Sequence, residues 1–168
     1  EQVVIEKSAT GATLINLPNN NWNTFIGQET GKATTQTGSS TNGIGNSFVG
    51  YQTGFSHTTG SYNVFTGYQA GYTNTTSSSN VFTGNRAGYS NTTGSSNVFT
   101  GSNAGYSNTT GFFNVFTGQG AGYFNTTGER NVFVGLSAGN SNTTGQRNTF
   151  TGTNAGFDNT TGNYNVFT

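Results

Sequence analysis

A side chain that moves protons, holds a metal or attacks a bond comes from a short list, and this chain carries little of it. His57 is the only histidine. It stands in a turn position that other units fill with Thr, Ser or Asn, which makes it a poor ligand or general base. The carboxylates Glu1, Glu6, Glu29, Glu129 and Asp158 are dispersed, and no two recur at a spacing that pairs an acid with a base. A calcium-binding roll needs Asp in each Gly-rich nonapeptide, and Asp158 stands alone. No cysteine means no disulfide framework and no thiolate metal site. Gly-x-x-Ala-Gly strings look like phosphate loops but lack the lysine and the helix that follow in such loops. The expectation is no enzyme, no cofactor and no metal.

Recognition chemistry has more to work with. Phe112 and Phe113 interrupt positions that are usually polar, as in Ser78-Ser79 and Ser95-Ser96, and Phe124 a position that holds Thr73, Ser90, Ser107, Ser141 and Asp158 elsewhere. Three surplus aromatics in solvated slots are a candidate contact for a sugar or a protein. Packing between subunits is the alternative. Arg130 and Arg147 share one slot, so they are expected to stack in neighbouring rungs as a modest basic girdle, offset by Glu129. Asn74, Asn91, Asn108, Asn125, Asn142 and Asn159 each open an Asn-Thr-Thr triplet. That matches the N-glycosylation acceptor pattern, although turn chemistry explains the strict register without modification.

The elements that position these residues follow from composition and period. Gly, Thr, Asn and Ser supply 100 of 168 residues, and apolar residues are 29%, too few for an ordinary globular core. Leu, Ile and Met number seven, which excludes a Leu-rich helical core. Net charge is zero, so the basic footprint of a general nucleic-acid binder is missing. Apolar runs of about three residues are far too short to span a membrane as a helix. Asn46, Asn63, Asn80, Asn97, Asn114, Asn131, Asn148 and Asn165 recur every 17 residues, and an earlier copy begins at Asn23 with six extra residues within 32–45. A fixed short period is the signature of a solenoid.

Each unit reads as one coil. Asn-Val-Phe-Thr is a β-branched and aromatic strand closed by Gly. Ala-Gly-Tyr, as at Ala70–Tyr72, reads as a second short strand, and Asn-Thr-Thr-Gly as a turn. At about 4.8 Å per strand, nine rungs make a rod about 40 Å long. Phe25, Phe48, Phe65, Phe82, Phe99, Phe116, Phe133, Phe150 and Phe167 form a ladder on one face, with flanks such as Val64 and Thr66 on the other. Neither face takes a charge, so both are expected to be buried, the second against copies of the chain. Residues 1–22 lack the repeat. With Val3, Val4, Ile5, Leu14, Ile15, Leu17 and Trp22 they read as a cap or the end of a preceding fibre module, ahead of the repeats at 23–168. The chain stops within a unit at Asn165-Val-Phe-Thr168, which suggests a fragment of a longer fibre.

The phrase Asn-Val-Phe-Thr-Gly-x-x-Ala-Gly resembles the head repeat of YadA-like trimeric adhesins. Asn148–Gly162, Asn-Thr-Phe-Thr-Gly-Thr-Asn-Ala-Gly-Phe-Asp-Asn-Thr-Thr-Gly, looks still more like the longer repeats of bacterial surface fibres and phage-tail-like fibres. The resemblance covers residues 23–168. It implies an all-β, left-handed parallel β-roll, a homotrimer, and a place outside the cell on a bacterial surface or tail fibre. The expected function is attachment to a glycan or protein of a host or prey cell surface, without nucleic acid and without direct membrane insertion. The alternative is a monomeric ice-binding solenoid, with Phe inward and flat Val/Thr ladders such as Val64/Thr66 and Val81/Thr83 outside.

Overall fold

The computed structural model describes residues 22–34 and 43–168 in full, and 4–7 and 13–16 as backbone strands. β1 (Val4–Lys7) and β2 (Thr13–Asn16) pair antiparallel, Ile5 opposite Ile15. All other strands belong to one parallel sheet: β3 (Thr24–Ile26), β4 (Ser47–Val49), β5 (Val64–Thr66), β6 (Val81–Thr83), β7 (Val98–Thr100), β8 (Val115–Thr117), β9 (Val132–Val134), β10 (Thr149–Thr151) and β11 (Val166–Phe167). They stack in chain order, each Phe opposite the next Phe. The chain is a parallel β-solenoid of about seven complete turns, and no helix occurs among the described residues.

The unvarying Phe sets the interior. Phe48 through Phe150 are fully buried, with neighbouring rings 4.6–4.9 Å apart and 3–6° from coplanar. So small a change per rung makes the rings one continuous stack along the solenoid. Opposite the rings lie Ala70, Ala87, Ala104, Ala121 and Ala138. The glycine that follows each Ala makes room. At Gly105 (φ +59°) a Cβ would stand 2.5 Å from carbons of the Phe99 ring.

The remaining interior is amide. Asn97 takes its backbone N–H to Asn80 Oδ1 (2.9 Å), offers its own Oδ1 to the Asn114 N–H (2.9 Å), and donates Nδ2 to Gly111 O (2.8 Å). A second buried column runs beside it, where Asn108 Nδ2 donates to Asn91 Oδ1 (2.8 Å) and to the same Gly111 O (3.0 Å). Each buried amide is thereby satisfied within the ladder, which is the condition for burying it at all. An interior that looked meagre on apolar count is completed by two Asn per turn.

One expectation needs correction. Ala-Gly-Tyr is not a strand. Gln69 and Gly71 both adopt left-handed φ (53° and 59°), and two such residues so close fold the segment into turns. It still bonds from turn to turn, Gly71 N–H to Ala87 O (2.9 Å) and Thr73 N–H to Tyr89 O (3.0 Å). Within one chain the two sheet faces differ: Phe is buried, while Val64, Val81, Val98 and Val132 are exposed with their Thr partners. Trp22 is 76% exposed. Most of the six extra residues and much of the 1–22 segment lie outside the described residues.

Candidate recognition surfaces

The repeat fixes a backbone, and the chemistry lies in what each slot displays. His57 occupies the slot of Asn74 and Asn91 and is fully buried. Its Nε2 lies 2.9 Å from Gly60 O and its Nδ1 2.9 Å from the Asn74 amide, which in turn bonds Ser77 Oγ. A neutral imidazole has one N–H. Both ring nitrogens face an oxygen, Gly60 O and Asn74 Oδ1, so the one N–H donates to one of the two, while Asn74 Nδ2 donates to Ser77 Oγ. Burial lowers the His57 pKa below its ordinary value of 6.5, against the opposing hydrogen bonds to Asn74 and Gly60. Ser77, 2% exposed where other turns place Gly, also accepts from Asn80 and Asn91. The string Ser77–Asn74–His57 is sealed from solvent and completes the amide columns.

The structure divides the proposed aromatic contact. Phe112 and Phe113 meet edge to face, with centroids 5.4 Å apart, and the Arg130 guanidinium lies 5.3 Å and 5.7 Å from the two ring centres. Glu129 pairs with Arg130. Phe124 pairs instead with Tyr123 (4.7 Å), and no ring contact joins it to Phe112 or Phe113 among the described residues. Tyr123 ends a stack of Phe55, Tyr72, Tyr89, Tyr106 and Tyr123 at 4.9–5.1 Å, where Asn140 takes the next slot and donates to Gly120 O. Phe113 and Phe124 are half-exposed or more, whereas Phe112 is half-buried.

Arg130 and Arg147 hold one slot in adjacent turns, and each engages its own neighbours. Arg130 turns to Phe112 and Phe113, and Arg147 lies over Tyr164 and donates to its hydroxyl. The acceptor Asn of five Asn-Thr-Thr triplets, Asn74 through Asn142, is fully buried, so glycosylation of the folded chain at these sites is sterically excluded. Missed in the sequence is a polar relay on another corner. Gln52 donates to Glu29 (2.7 Å), Gln69 to Gln52 (2.8 Å) and Arg86 to Gln69 (3.1 Å), so anion and cation terminate the two ends of an aligned amide row. The hydrogen bonds from Lys32 and then Gln52 hold Glu29 below the usual carboxylate range. No helix among the described residues is long and apolar enough to cross a membrane, and no group of three metal-ligating side chains occurs among them.

The chain matches no known family profile, no curated protein and no solved structure.

Proposed function

We propose that this solenoid is a module of a trimeric attachment fibre, three chains packing their Val/Thr faces around a common axis and carrying recognition surfaces on their outer edges. One observation carries the reading. The outward flanks of β3–β11 form a charge-free face the length of the sheet, and its valines remain about 40% exposed in the single chain. A monomer rarely leaves so long an apolar patch to water. The left-handed winding, the extracellular surface or tail setting and a cell-surface target come with the resemblance to adhesin and fibre repeats and stand as parts of this proposal. Light scattering should return three times 17.5 kDa. A stable monomer at micromolar concentration overturns it.

The same face supports a second reading, a monomer that binds ice. Val64/Thr66, Val81/Thr83, Val98/Thr100 and Val115/Thr117 repeat without change on four consecutive strands in register. The Thr column gives way, however, to Ile26, Val49 and Val134. A packed apolar contact accepts swaps that conserve shape, whereas an array of hydroxyls matched to a lattice does not. Thermal hysteresis from a monomer would reverse the ranking.

A further inference from the structure

The slot immediately before each repeat Asn is held in the left-handed region at every turn, from Trp22 (φ 53°) and Gly45 (66°) through Tyr62 (59°), Phe113 (56°) and Arg130 (56°) to Tyr164 (57°). That conformation points its side chain away from the interior, and the slot is exposed in nearly every turn. Serine satisfies it at Ser79 and Ser96, so the fold does not need aromatics there. Yet the column displays Trp22 (76% exposed), Tyr62 (59%), Phe113 (55%) and Tyr164 (69%) on one edge. Tyr62, Phe113 and Tyr164 are 51 residues apart, three turns each, which at the strand spacing separates the platforms by about 14 Å. The parallel register, Phe opposite Phe from each strand to the next, keeps the slot on one edge of the rod.

We infer that this edge is a binding track for a linear polysaccharide lying parallel to the rod axis. It rests on the attachment reading and names its ligand class. Phe124, on a different corner, is outside it. The spacing decides between ligand types. A protein interface wants a contiguous dry centre ringed by polar residues, but here rings alternate with Ser79, Ser96, Arg130 and Arg147 at rung intervals. Separate flat platforms suit a ribbon of sugar rings, whose C–H faces rest on aromatic rings while hydroxyls meet intervening polar groups. The arginines are already set for that work. Arg130 is braced by Glu129 and Phe113, and Arg147 by Tyr164, so each offers its remaining N–H donors in a fixed place. The track is charge-balanced enough to take a neutral chain, since Glu129 offsets one of the two cations.

Trp22 is the sole tryptophan, so its fluorescence reports occupancy of the track directly. The intact protein is titrated with cellohexaose, chitohexaose, xylohexaose and their disaccharides, with scattering mass measured on the same samples. At least one hexasaccharide should shift Trp22 emission and bind tenfold or more tighter than its disaccharide, because only the longer chain spans two platforms. Tyr62→Ser, Phe113→Ser and Tyr164→Ser together place the residue of turns 79 and 96 in the slot. They should leave melting nearly unchanged and reduce binding at least tenfold. Silence from all three hexasaccharides, equal affinity for the disaccharide, or full binding by the triple variant overturns the inference. So does attachment to target cells that protease abolishes and periodate spares. A monomeric mass alongside length-dependent binding would end the trimer and leave the track standing.

Discussion

His57 shows what one residue does to a repeat. It fills an Asn slot, buried, with its imidazole edge-on to Phe48 (5.1 Å) and its nitrogens committed to Gly60 and Asn74. Unfolded, it takes a proton near 6.5; folded, burial delays that to lower pH. Between the two values the unfolded chain binds more protons, so stability is full above 6.5 and falls as pH falls toward the folded pKa. Melting temperature measured from pH 7.5 to 5 should therefore decline, and His57→Asn, which restores the residue of the other turns, should flatten it. An identical decline in the variant would place the effect elsewhere. The position of His57 in the register is plain in the sequence. Its burial is not, because the residue types that make an Asn-Thr-Thr-Gly turn are the same ones that can carry a buried amide ladder.

At the scale of one turn, three devices hold the coil: the ring stack, the amide column and the glycines beneath the rings. Phe99→Ala removes a ring packed between Phe82 and Phe116 and should cost about 3–5 kcal/mol, read from chemical denaturation. Asn114→Ala strips the acceptor from the buried Asn131 N–H (3.0 Å) and should cost about 1–3 kcal/mol, while Gly128 O keeps its bond from Asn125 Nδ2 (3.1 Å). Two glycines separate backbone strain from lack of space. Gly105 and Gly120 have similar φ (59° and 65°), but a Cβ at Gly120 meets nothing nearer than 3.5 Å. Gly120→Ala should lose about 1–2 kcal/mol for the left-handed backbone alone. Gly105→Ala should lose clearly more, and equal losses would show that the Phe99 ring yields without strain. The strand register was legible because period, Phe and Asn agree. The Ala-Gly-Tyr misreading arose because Tyr favours strands, while nothing local marks Gln69 as left-handed. The aromatic edge column was hidden for the same reason: only the recurring positive φ before Asn reveals that Trp22, Tyr62, Phe113 and Tyr164 share one outward corner.

For the whole molecule the unsettled balance lies between a finished interior and an unfinished surface. Phe, Ala and two hydrogen-bonded Asn per turn close the inside of a single coil, so the argument for partners rests on the outer face of the sheet. A charge placed there tests it without touching the core. Val98 sits mid-rod, 37% exposed, its neighbours Val81 and Val115 in register above and below. In the free chain a lysine at this site extends into water and should leave far-UV dichroism intact, since surface substitutions typically cost within about 0.5 kcal/mol. In a trimer with this face at its axis, Val98→Lys brings three ammonium groups together in an apolar seam, where neither hydration nor a counter-charge meets them. Scattering mass should then fall from three chains to one while the dichroism of the coil persists. Retention of the trimer by the folded variant would place the contact on another face. In the ice-binding alternative the mass is that of one chain from the start, and the same lysine instead abolishes thermal hysteresis by breaking the plane of the Val/Thr ladders.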